Sequence, residues 1–93
     1  MAPVPVDLYV AAEPEHGVAA FKLADDARRA GHTAQLELAG RSEKGVFKQA
    51  HRVGARYVAL LGADGARLRD MESGEQQTVD VASVMHHIRG GQL

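Results

Sequence analysis

Residues 32–62 read "HTAQLELAGRSEKGVFKQAHRVGARYVALLG", and three hydrophobic rhythms follow one another within them. In 32–38, Thr33, Gln35 and Glu37 alternate with Ala34, Leu36 and Leu38, the period of two that predicts a strand. From Ser42 the spacing lengthens. Val46, Phe47, Ala50 and Val53 form an apolar helical stripe, and Gly54 stops it. Ser42 suits the N-cap of that helix, and Glu43 suits its positive end. Tyr57 to Leu61 are then apolar at every position, the most continuously apolar of the strand candidates, which predicts the central strand of its sheet. Strand, helix and strand in that order predict a right-handed crossover between parallel strands.

The flanks extend the same architecture. Upstream, 6–12 (VDLYVAA) is a short apolar run of strand formers, and Pro14 is placed to open a helix, where its missing N–H costs nothing. Within 15–30, Ala20, Leu23, Ala24 and Ala27 make an apolar face with Phe21 beside them, and Lys22, Asp25, Asp26 and Arg29 a polar one. Asp25 and Arg29 are spaced for an i, i+4 ion pair, and Gly31 ends the helix. Downstream, 66–71 and 76–81 flank the turn "ESGE" and predict a hairpin, with a short helix over 81–88 after it. The order β-α-β-α-β-hairpin-α predicts a three-layer α/β domain over residues 6–89: a mixed five-stranded sheet flanked by three helices. The proline-rich 1–5 reads as a linker remnant or an artificial start, and 90–93 as a frayed terminus.

Composition narrows the function. Ninety-three residues with 45% apolar content support one small core. There is no Cys, so disulfides and thiolate metal sites are excluded. No apolar run approaches the length of a membrane span and no signal-peptide pattern opens the chain, so a cytoplasmic protein without membrane contact is expected. His16, His32 and His51 fall on separate elements, and adjacent His86 and His87 point about 100° apart on a helix, so no metal site is expected. Asp25 and Asp26 share their helix face with Lys22 and Arg29, as a solvated surface does. Ser42 and Ser73 read as a cap and a turn residue rather than nucleophiles, and no phosphate-cradling glycine loop follows a strand. The chain alone is therefore not expected to be an enzyme.

One anomaly remains. Residues 40–56 carry Arg41, Lys44, Lys48, Arg52 and Arg56 against Glu43 alone, a balance of +4 in a chain of net charge −1. A solvated helix face accounts for this, and so does an RNA-binding surface. Phe47, next to Lys48, belongs to the apolar stripe and reads as core before it reads as a stacking platform.

The stretch "LAGRSEKGVFKQAHRVGARYVALLG" with "RLRDMESGEQQTVDV" resembles the C-terminal anticodon-binding domain of bacterial histidyl-tRNA synthetases, a family of class II synthetase domains. The matching features are the Gly40-Arg41-Ser42 turn, the Gly54 to Tyr57 strand entry, and Asp70-Met71 followed by Gly74-Glu75-Gln76; the likeness covers about residues 6–88. Ala39 and Glu43 depart from the usual family residues. The resemblance implies a tRNA partner whose splayed histidine anticodon is gripped, while a separate catalytic domain of a homodimeric parent uses ATP and Mg²⁺ to charge the tRNA. No cofactor is implied for this chain. The RNA-binding positions implied are Glu13, Arg41, Ser42, Glu43, Lys44, Phe47 and Lys48. Arg41 is then suited to a guanine edge and Lys44 and Lys48 to phosphates, while Glu43 either accepts from a base amino group or complements the helix dipole. A protein-interaction or dimerisation module on the same fold is the alternative of a different class.

Overall fold

The computed structural model describes residues 5–37 and 42–90. Strands β1 (Leu8–Ala12), β2 (Ala34–Glu37), β3 (Tyr57–Gly62), β4 (Gly65–Asp70) and β5 (Gln76–Val79) form one sheet in the order β2-β1-β3-β4-β5. The first three are parallel, and the β3–β4 and β4–β5 pairs are antiparallel. Helices α1 (Gly17–Arg29), α2 (Glu43–Arg52) and α3 (Val84–Gly90) cover its faces, which is the mixed three-layer α/β domain the sequence predicts.

The alternation of side chains along the strands divides the core in two. Leu8, Val10, Tyr57, Ala59, Leu61, Ala66 and Leu68 point to one face, where α1 and α3 close over them. Tyr9, Ala11 and Val58 point to the other, where α2 brings Val46 and Ala50. Two helices therefore cover one face and a single helix the other. On that second side Arg67 and Arg69 of β4 stand opposite Thr78 and Gln76 of β5, and this half of the sheet stays polar.

Local details differ from the expected ones where packing or turn chemistry decides. The first helix does not start at Pro14: Pro14–His16 is a 3₁₀ turn, and α1 begins at Gly17. Phe21 does not join the apolar face; it is 60% exposed, as Ala20, Leu23, Ala24 and Ala27 suffice to meet the sheet. The pair Arg29–Asp25 forms at 2.8 Å, joined by Lys22–Asp26 at 3.2 Å. The last helix opens with a 3₁₀ turn, Val81–Ser83, and continues to Gly90.

The "DMESGE" hairpin is held by Asp70. Its Oδ1 accepts from the Glu72 and Ser73 amides at 2.8 and 3.2 Å, and the Arg56 guanidinium donates to both carboxylate oxygens at 3.4 Å. Burial pushes the Asp70 carboxyl up, but Arg56 and the two amides outweigh it and hold the carboxyl below its ordinary value. A carboxyl lowered in the folded state adds stability that is complete above the unfolded pKa and is lost as pH falls through the folded one. Asp70→Ala, which strands both amides, is expected to cost about 2–3 kcal/mol at neutral pH. Asp70→Asn keeps an acceptor but no charge, so it should cost less and flatten the acid side of the stability curve. Urea midpoints at neutral and acid pH check both statements.

Candidate functional site

In an open α/β sheet, ligands gather beyond the carboxyl ends of the strands, where chain connections leave in opposite directions. Here that point lies between β1 and β3, because β1 leads to β2 on one side while β2 leads through α2 to β3 on the other. A cleft of about 610 Å³ opens there. Its floor is apolar, from Ala11, Ala12, Val46, Leu60 and Leu61. Its walls are charged: Glu13, Glu15 and His16 come from the turn after β1, Glu37 from the end of β2, Glu43 from the start of α2, and Arg67 from β4.

Each charged wall has a structural reason. Ser42 caps α2, its Oγ accepting from the Gly45 amide at 3.2 Å. That cap fixes Glu43 in the first turn, beside the helix's positive end. Glu43 pairs there with Arg67. Glu43 thus complements the helix dipole and also pairs with a residue of a strand 24 positions further along the sequence. The Tyr9 hydroxyl, on the same face of the sheet, donates to Glu37. In the β1 turn a hydrogen bond and repulsion from Glu15 push the Glu13 carboxyl up, while the Glu15 carboxyl is lowered by its own amide and by Glu13. Among the described residues, four carboxylates face one guanidinium and one imidazole here, an excess that favours hydrogen-bond donors over phosphate.

The sequence-predicted residues thus separate. Glu13 and Glu43 meet in the cleft, and Ser42 positions its rim. Lys44 and Lys48 face solvent along α2, outside it. Phe47 is half-buried against the α2-side core, with the Arg69 guanidinium 4.8 Å from its ring centroid. It is neither a fully enclosed core residue nor a bare stacking platform. Arg41 lies outside the described residues. Arg67, Glu37, Glu15 and His16 were not among the sequence candidates. For Arg67 the signal was the alternation in "ARLRD", which turns both arginines to one side of a strand next to the central one. Among the described residues no three His, Asp or Glu side chains gather as a metal site.

The family model described as "Anticodon binding domain" matches residues 6–90. The chain belongs to the anticodon binding domain family. Histidine–tRNA ligases are among its relatives. That of Rubrobacter xylanophilus is 42% identical over 76% of this chain and 18% of its own length. That of Macrococcus caseolyticus is 31% identical over 91% of this chain and 21% of its own. The solved histidyl-tRNA synthetase of a Nostoc species superposes with a TM-score of 0.85 at 26% identity, over 95% of this chain and 23% of that one. This anticodon-binding domain therefore spans about a fifth of the length of the relatives it matches. Among the described residues no helix is long and apolar enough to cross a membrane.

Proposed function

We propose that this domain binds the anticodon of histidine tRNA, with base edges in the acidic cleft and the sugar–phosphate backbone outside it. The observation that carries the reading is the Glu43–Arg67 pair at the strand ends of a histidyl-type anticodon-binding domain. The Watson–Crick edge of guanine, which the histidine anticodon contains, offers two adjacent donors and one acceptor. A carboxylate beside a guanidinium offers the complementary set, and unstacked loop bases are recognised through such edges. Glu13 supplies a further acceptor from the opposite wall, and the apolar floor suits the face of a base. Arg41, adjacent in sequence to the Ser42 cap, is a second candidate for a guanine contact.

The chain supplies binding rather than chemistry on this reading. It acts as part of a longer, homodimeric, cytoplasmic histidine–tRNA ligase whose catalytic part uses ATP and Mg²⁺. No step of the charging reaction is assigned to the residues of this domain. Titrating fluorescent anticodon stem-loops into the chain tests the proposal. Binding should favour the histidine anticodon over loops in which its guanines are replaced. A chain that ignores every loop but dimerises with concentration points instead to an interaction module.

A further inference from the structure

The described lining of the cleft is mainly acidic, so the backbone of an RNA whose bases enter it needs counter-charge from a neighbouring surface. Helix α2 provides it. Its N-terminal turn forms the rim of the cleft, through Glu43 and Val46. Its last residue, Arg52, stands five positions before Tyr57, the start of β3, and so lies towards the opposite end of the sheet. Lys44, Lys48 and Arg52 recur every four residues, forming one exposed stripe about 12 Å long. Other described cations are already engaged. Carboxylates hold Lys22, Arg29, Arg56 and Arg67, a backbone carbonyl holds Arg28, and the Phe47 ring holds Arg69. Among the described residues only Arg89 joins the three stripe residues in having no such partner. The one carboxylate of α2, Glu43, is turned to Arg67. Beside the stripe, Gly45, Lys48, Gln49, His51 and Arg52 line a notch of about 430 Å³.

We propose that this stripe carries the backbone of the double-stranded stem adjoining the anticodon loop, with Arg52 on the stem. The proposal rests on the anticodon reading above. Double-stranded RNA presents phosphates and 2′-hydroxyls rather than readable base edges, and three unpaired cations beside a hydrogen-bonding glutamine match that chemistry. The stem contact gives affinity and orientation, and leaves discrimination to the cleft.

The test compares two RNAs on the 93-residue chain: the seven-nucleotide histidine anticodon loop, and the same loop on its stem. The stem-loop should bind more tightly and depend more steeply on salt. Arg52→Ala should remove about one phosphate's share, lowering the stem-loop salt slope by about 0.9 and its affinity loss between 50 and 200 mM salt by roughly threefold. Heptamer binding should not change, and Arg52→Lys should restore most of the slope. Equal binding of the two RNAs, or equal weakening of both by Arg52→Ala, overturns the stem contact and leaves the anticodon reading intact. A polyglutamate peptide that competes as well as the stem makes the stripe a general anion surface and overturns it too. Failure of both RNAs to bind overturns the anticodon reading and this inference together.

Discussion

Gly65→Ala is expected to lower the melting temperature of this domain by about 10–20 °C, the shift that roughly 3 kcal/mol produces in a chain of this size. Gly65 closes the tight turn between the two central antiparallel strands, pairing with Gly62 across Ala63 and Asp64. It does so at φ +113°, a region that side chains rarely adopt. A methyl carbon there would lie 2.6 Å from the Val79 carbonyl oxygen, on the strand that pairs with β4. Backbone strain of about 1–3 kcal/mol is thus joined by a clash that only a shift of β5 relieves. Gly74→Ala is the control. It shares a positive φ of +81°, but nothing lies within 4 Å of the added carbon. Its cost should be the strain alone. Thermal melts of both variants decide the matter, and equal losses would show that the clash with Val79 adds nothing to the strain.

Glu43→Gln is expected to weaken binding of the histidine anticodon by roughly 5–150-fold, the worth of about 1–3 kcal/mol given to a two-point base contact. Inosine lacks the 2-amino group of guanine and so isolates one half of that contact. Replacing the bound guanine by inosine should weaken the unaltered chain several-fold and leave the Glu43→Gln variant nearly indifferent. Arg67→Ala should also weaken binding, because it frees Glu43 and removes the donor that meets the guanine acceptor. Both side chains are about half exposed, at 45% for Arg67 and 48% for Glu43, so their mutual ion pair contributes only about 0.2–1 kcal/mol to folding. Melting temperatures should therefore stay close to that of the unaltered chain. A large drop in stability would make the pair a structural clasp rather than a reader.

Much of this architecture was legible because its signals were periodic. The unbroken apolar run of β3 placed it at the centre, and the Ser42 cap, the stripe of α2 and the alternation over 32–38 located the crossover between β2 and β3. The hairpin was legible from its turn residues, and its Asp70-Met71 to Gly74-Glu75 motif, which helped to suggest the family, is a turn clasp rather than part of the cleft. What stayed hidden was tertiary. Helical spacing put Phe21 and Phe47 near apolar stripes, yet only the width of the sheet decides how many of those positions it covers. The cleft joins the turn after β1, the ends of β2 and β3, the start of α2 and the middle of β4, and no short stretch of sequence shows these together. Charge counting along 40–56 drew attention to the outer face of α2, while the carboxylates of the cleft, where base edges are proposed to bind, gather around the start of that helix.

The most direct test of that placement is a titration of the ¹⁵N-labelled chain with the histidine anticodon stem-loop, followed amide by amide. Shifts should concentrate on residues 13, 15, 16, 43–46, 60–63 and 67, with smaller ones along α2 to Arg52, while Val18 and Phe21 on the outer side of α1 stay still. Shifts centred on Val18 and Phe21 with a silent cleft would contradict the assignment of the strand-end cleft to the anticodon.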